Sequence, residues 1–165
     1  MRRLLVCLVL MLPLFASAQR LKIAQGDFEV AGSAVFDSSQ IGAKMRFGTF
    51  AANYFQLGGE FEWLDTDYAT RTGIGMYFIR LYETNAYLLP YFGVGLGLGT
   101  LEYDDSSDES GMELSFLLGL KYFLSDNVSL NTEFSFGMSS ADTYMGSDEP
   151  DSTQASVRIG LSYFW

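Results

Sequence analysis

From Phe28 to Trp165 the chain repeats at period two, and no other feature restricts its fold as strongly. Large apolar residues alternating with small or polar ones mark strands whose two faces meet different surroundings. Phe28 to Phe36 alternates with Asp27, Glu29, Ala31 and Ser33, and Ile41 to Phe47 with Lys44 and Arg46. Phe55 to Trp63 alternates with Glu60 and Glu62, and Thr72 to Phe78 with Arg71, Gly73, Gly75 and Tyr77. Leu88 to Thr100 sets large residues against Gly93, Gly95, Gly97 and Gly99. Leu114 to Tyr122 alternates with Glu113 and Lys121, Val128 to Phe136 with Glu133, and Val157 to Trp165 with Arg158 and Gly160. The pattern predicts eight strands, most of them about ten residues long. A tilted strand needs about 9–11 residues to cross a bilayer.

The connections alternate in character. Those at Ala51 to Asn53, Glu83 to Asn85 and Ser125 to Asn127 are tight. Those at Asp65 to Thr70, Tyr103 to Gly111 and Ser139 to Thr153 are longer and acidic, and the short Asp37 to Ser39 falls on their side. Three tight turns at one end and four loops at the other predict an all-β fold, an eight-stranded antiparallel up-and-down barrel with both termini at the tight-turn end. A soluble ligand-binding barrel would turn the apolar set inward and the polar set to water. Here only 18 % of residues are charged, against 48 % hydrophobic and 16 % aromatic, so the Gly-, Ser- and Ala-rich set cannot solvate an exterior. The inverted arrangement follows, a transmembrane barrel with apolar residues on lipid and the glycine row leaving room in a narrow lumen. Tyr54, Phe55, Tyr82, Tyr87, Tyr91, Tyr122, Tyr163 and Trp165 then form a lower aromatic girdle, and Phe36, Trp63 and Tyr103 an upper one. Arg80 falls in phase with Phe78 and Met76, which calls for a snorkelling side chain or a bulge.

Ahead of the strands, Arg2 and Arg3 precede an apolar run from Leu4 to Ala16 broken only by Pro13, and Ala16-Ser17-Ala18 is a small-x-small cleavage site. Residues 1–18 are expected to be a signal peptide, cut after Ala18 so that the barrel chain, 19–165, begins at Gln19. The run is shorter than the roughly 20 residues of a spanning helix. Cys7, the single cysteine, departs with the leader. The sequence contains no His, which removes Ser-His and Cys-His catalysis and any metal site built on imidazole. Ten Lys and Arg against twenty Asp and Glu argue against a nucleic-acid partner.

The inward set carries a charge ladder. With Asn53 at the centre of its turn, Arg46 faces Glu60 and Lys44 faces Glu62. A turn centred on Asn127 puts Lys121 opposite Glu133, and a centre one residue earlier makes them diagonal. The last strand then brings Arg158 beside Glu133, and closure of the barrel brings it near Glu29. An unpaired buried ion costs several kcal/mol, so these charges are expected to pair and plug the bore. On that reading, replacing Arg46 and Lys44 by Ala destabilises the barrel and raises its conductance.

The final residues, Arg158-Ile159-Gly160-Leu161-Ser162-Tyr163-Phe164-Trp165, resemble the assembly signal of bacterial outer-membrane barrels, with its anchors at Arg158, Gly160, Tyr163 and Trp165. The hairpin segments Pro90-Tyr91-Phe92-Gly93-Val94-Gly95-Leu96-Gly97 and Leu118 to Leu130 are similar to those of the small outer-membrane β-barrel family of OmpA, OmpX and opacity-protein type. The resemblance implies a monomer in a Gram-negative outer membrane, inserted by the barrel-assembly machinery, with periplasmic termini and contacts to lipid and lipopolysaccharide. It does not imply one function, because such families include structural proteins, adhesins and small-solute channels.

Candidate chemistry is thin. Gly93 to Gly99 fails the dinucleotide fingerprint at Leu98 and Thr100. Asp104, Asp105, Asp108 and Glu109 lack EF-hand spacing, and with Asp148, Glu149 and Asp151 they read as solvated loops. No cofactor or metal is expected. The leading expectation is a non-enzymatic envelope barrel that presents acidic loops to an unidentified outer partner. The alternative is a narrow pore for small solutes.

Overall fold

The computed structural model describes residues 23–36, 40–66, 69–84, 87–103, 108–145 and 150–165. The expected leader, with Ala16, Ala18 and Gln19, lies outside them, as do Asp104, Asp105, Asp148 and Glu149. The strands are β1 (Phe28–Phe36), β2 (Gln40–Ala52), β3 (Phe55–Thr66), β4 (Ala69–Leu81), β5 (Leu88–Tyr103), β6 (Glu109–Phe123), β7 (Val128–Ser139), β8 (Tyr144–Met145), β9 (Pro150–Asp151) and β10 (Thr153–Phe164). Eight of them close a barrel in the order β1-β10-β7-β6-β5-β4-β3-β2, every neighbour antiparallel. β8 and β9 pair apart from it, as a small hairpin inside the segment expected to be a plain loop. β5 has 16 residues and β6 has 15, so the wall takes in Glu109 to Gly111, which had been expected to be loop.

The alternation sorts the side chains as physics requires. Ile74, Met112 and Val157 are 66 %, 70 % and 62 % exposed, whereas Glu29 and Arg158 are 3 % and 6 % exposed. Closing the sheet leaves no strand edge unpaired, so backbone polar groups are satisfied without water. The turn after β2 holds Tyr54 at φ 60, a left-handed conformation unusual for a bulky residue. Its ring packs on the buried cluster inside the barrel end, and its carbonyl accepts from Leu81 N at 2.8 Å, contacts that offset the strain.

Three girdle expectations need correction, and Tyr54, packed on the inner cluster, is the first. Tyr91 is inside the barrel and not in the girdle, because it shares parity with the glycine row that follows it. Of the two alternatives for Arg80, the snorkelling side chain is the one found: the ladders of β4 run unbroken on both sides, and its exposed guanidinium turns to the tight-turn end to donate to Asn53 O at 3.0 Å. The irregularity in that region lies between Phe50 and Ala52. Tyr103, expected in the upper girdle, packs half-buried against Leu64, Ala69 and Leu101. Phe55, Trp63, Tyr82, Tyr163 and Trp165 do face outward.

Candidate functional site: the barrel lumen

The lumen has three storeys. At the tight-turn end it is apolar. Phe50, Leu81, Leu89, Phe123 and Phe164 come from five strands and pack with Ile79, Leu117 and the rings of Tyr77 and Tyr91. Ile23, ahead of β1, closes this cluster from below. Its segment is fastened to the turn end by Gly26 N to Phe50 O (2.9 Å) and Gln25 N to Asn53 Oδ1 (3.1 Å). Sequence reasoning missed the cluster because residues here are apolar on both faces and the alternation loses contrast.

Above it lies an ion network. Glu29 accepts from Gln56 Nε2 at 2.8 Å and pairs with Lys121 and the Ser162 hydroxyl. Glu133 takes both ends of the Arg46 guanidinium and accepts from Tyr91 Oη at 2.8 Å. Arg46 Nε reaches Glu60 at 2.8 Å, and the far side of Glu60 holds Lys44 at 2.9 Å. Glu62 pairs with Arg158 and lies 3.2 Å from Arg71 Nη1, with Lys44 at 4.0 Å. Arg71 Nη2 sits 2.6 and 2.7 Å from the two oxygens of Glu113. The cations are Lys44, Arg46, Arg71, Lys121 and Arg158, and the anions Glu29, Glu60, Glu62, Glu113 and Glu133, so the network as drawn is neutral. Among the described residues, two buried nitrogens, Arg158 Nε and Arg71 Nη1, find no partner in hydrogen-bond geometry, the latter held to Glu62 by charge alone. Cavities of about 30 Å³ remain around Arg158, one of mixed and one of mainly polar lining, each with room for about two waters.

The register places Lys44 opposite Glu62, Arg46 opposite Glu60 and Arg158 opposite Glu133. The turn before β7 makes Lys121 and Glu133 diagonal, since Lys121 faces Asn131 and Glu133 faces Gly119. Arg158 does not approach Glu29 through the seam: Glu29 faces Phe164 there, while Arg158 stands beyond Ile159 and turns across the bore to Glu62. Side chains choose partners by reach across the lumen, which wall register does not report. Arg46–Glu133 spans β2 and β7, Lys121–Glu29 spans β6 and β1, and Arg71–Glu113 spans β4 and β6. Arg71 and Glu113 escaped the sequence ladder although their parity marked them as inward. Gly160 lies on the inward side of β10, while Tyr163 and Trp165 point out beside Phe28, with ring centroids 6.0 Å apart for Phe28–Trp165 and for Tyr163–Trp165.

The third storey is the mouth. Between β7 and β8 the chain turns back into the bore, burying Thr143 and Tyr144. Arg71 Nε donates to Thr143 O at 2.9 Å, and the Arg71 guanidinium lies 4.8 Å from the centre of the Tyr144 ring. Thr143 Oγ1 lies 3.0 Å from Glu113 and 2.7 Å from Ser139 Oγ. Burial beside Glu113 raises the Tyr144 hydroxyl pKa above its ordinary value, so the phenol stays neutral. Among the described residues no group of His, Cys, Asp and Glu is arranged to hold a metal ion.

A closed eight-stranded barrel with an apolar exterior and an ion-paired interior defines an integral β-barrel membrane protein. The sequence profile of the outer membrane protein beta-barrel domain matches residues 4–164, and the chain belongs to that family. The N-terminal barrel domain of Pseudomonas aeruginosa OprF superimposes with a TM-score of 0.63 at 15 % identity, covering 86 % of this chain and 98 % of that one. OprG of the same organism gives 0.58 at 13 % identity, covering 89 % and 99 %. Ail, the attachment invasion locus protein of Yersinia pestis, gives 0.56 at 13 %, covering 86 % and 99 %. At these identities the likeness is one of fold. No curated protein is similar enough in sequence to count as a relative.

Proposed function

We propose that this is a non-enzymatic, non-conducting monomeric barrel of a Gram-negative outer membrane, which contributes to envelope structure and presents acidic loops to an outer partner. The observation that carries this reading is the filled bore, with a five-strand apolar cluster below and a neutral ion network above. Eight strands leave an interior that side chains just fill. The reading includes removal of residues 1–18, periplasmic termini, contact with lipid and lipopolysaccharide, and insertion by the barrel-assembly machinery through Arg158, Gly160, Tyr163 and Trp165.

Conductance of the refolded protein in planar bilayers tests it. The wild type should show no steady current. Replacing Lys44 and Arg46 by Ala should destabilise the barrel yet leave it shut, since the apolar cluster below is untouched. This revises the expectation from sequence that the ion pairs alone close the bore. Steady conduction by the wild type would overturn the reading in favour of a narrow pore for small solutes.

A further inference from the structure

We propose that the segment 140–145 is a displaceable lid on an outward-facing, closed-bottom cup, and that repulsion among the acidic loops works against its closure. The proposal rests on the non-conducting reading, because the apolar cluster at the turn end supplies the bottom of the cup.

The seat of the lid is built into three strands. A Cβ at Gly137 would meet Tyr144 Cζ at 2.9 Å, one at Gly111 would meet Ser139 Oγ at 2.6 Å and Ala141 N at 3.0 Å, and one at Gly99 would run into the Glu113 carboxylate, with Thr143 Oγ1 next at 3.3 Å. The bare backbone at Gly137 and Gly111 leaves space that Tyr144 and Ala141 use, and that at Gly99 admits the Glu113 carboxylate on which Thr143 rests, so the lid is seated and does not merely lie over an opening. Its fastenings are few. They are Arg71 Nε to Thr143 O (2.9 Å), Arg71 on the Tyr144 ring (4.8 Å), Thr143 on Glu113 (3.0 Å), Ser139 Oγ with Thr143 Oγ1 (2.7 Å) and Ala141 N (3.3 Å), and Ser140 exchanging two 2.9 Å bonds with the Met112 backbone. The hairpin beyond has a ladder of only two residue pairs, Tyr144–Asp151 and Met145–Pro150.

Charge opposes these fastenings. The loop-end segments 37–39, 65–70, 102–110 and 139–153 contain twelve Asp and Glu and no Lys or Arg. Among the described residues, Asp65, Glu102, Asp108, Glu109, Asp142 on the lid and Asp151 in the hairpin are exposed. The nearest cation below, Arg71, is already shared between Glu62 and Glu113 and holds the lid from inside. Lifting the lid moves the Asp142 carboxylate away from the rim. The Debye length is about 30 Å at 0.01 M salt and about 10 Å at 0.1 M, so the repulsion spans the mouth in dilute salt and is damped in concentrated salt. The lid should therefore open as ionic strength falls.

Ser115 reports on this. It pairs in register with Gly137, which the Tyr144 ring covers, and it lines the cavity with Tyr144 and Arg158. Cys7 is the only cysteine of the sequence and lies in the expected leader, so Ser115→Cys supplies a single thiol to the barrel. The measurement is its labelling rate with an uncharged, membrane-impermeant maleimide. Each rate is divided by that of Ser110→Cys, which is exposed on the rim and corrects for salt effects on the thiol itself. The rate should rise about tenfold between about 300 mM and about 10 mM NaCl. Adding Thr143→Gly and Tyr144→Ala should make labelling fast at both salts, with the bilayer still silent. A rate indifferent to salt would overturn the electrostatic opposition, and one indifferent also to the double substitution would overturn the lid. Steady current through the wild type would instead remove the closed bottom, and with it the reading on which the lid depends.

Discussion

Arg46 shows how a single side chain can tie the wall together. It leaves β2, meets Glu60 on the adjacent β3, and clamps Glu133 on the far side with both terminal nitrogens. Its guanidinium also lies 5.1 Å from the centre of the Tyr77 ring. Removing one member of a buried ion pair strands the other, which costs about 3–5 kcal/mol. Arg46→Ala should therefore lower unfolding stability by that amount in a urea titration of the bilayer-inserted barrel. Tyr91→Phe tests the same carboxylate more gently. It deletes one hydrogen bond of 2.8 Å to Glu133 but keeps the ring that packs in the apolar cluster. A loss of about 1–3 kcal/mol is expected, and no loss would mean that water replaces the phenol.

Among the elements, the seam between β1 and β10 carries the largest burden, because it joins the two ends of the chain. Its register runs from Glu29–Phe164 to Ala34–Ile159. Below that, Phe28 and Trp165 exchange backbone bonds, Phe28 N to Trp165 O at 3.0 Å and Trp165 N to Phe28 O at 3.1 Å. The Trp165 ring then stacks between Phe28 and Tyr163 on the outer face. Deleting Trp165 removes both the aromatic ladder and the last backbone bonds. The amount of protein reaching the outer membrane at native expression should fall, while Trp165→Phe, which keeps the backbone and a ring, should restore most of it. Equal insertion of the deletion and the wild type, measured in membrane fractions, would count against a role for this residue in assembly. β4 adds a different point: Arg80 stays on the outward face without breaking the ladder, because the tight-turn end offers it the Asn53 carbonyl.

The whole molecule has an inverted distribution of polarity. Leu96, Leu98, Leu118, Ile159 and Leu161 are at least half exposed, while ten ionised groups lie inside. An apolar belt of this extent is stable only against hydrocarbon. Without detergent the barrel, residues 19–165, should aggregate, and with it the chain should refold to β-rich circular dichroism. Recovery of a soluble monomer would contradict the membrane reading. Because the interior charges are paired and balanced, the strong negative charge of the sequence is carried by the rest of the molecule, chiefly at the loop end.

The primary structure by itself determined what depends on neighbours along the chain. Period two dictated eight wall strands and which parity faces lipid, and the Asn53 turn dictated the register that sets Lys44 against Glu62 and Arg46 against Glu60. Both are local, since a strand face repeats every second residue and a tight turn allows one offset. Only the closed tertiary structure decided the partners across the bore. Arg158 turns to Glu62 although Glu133 is its register neighbour, and Lys121 turns to Glu29. Those distances depend on strand number and stagger around the barrel, which no single hairpin contains. The return of Thr143 and Tyr144 into the mouth was equally hidden, because a polar segment between strands reads as an exposed loop until Gly137 faces the Tyr144 ring and Glu113 reaches Thr143 from another strand.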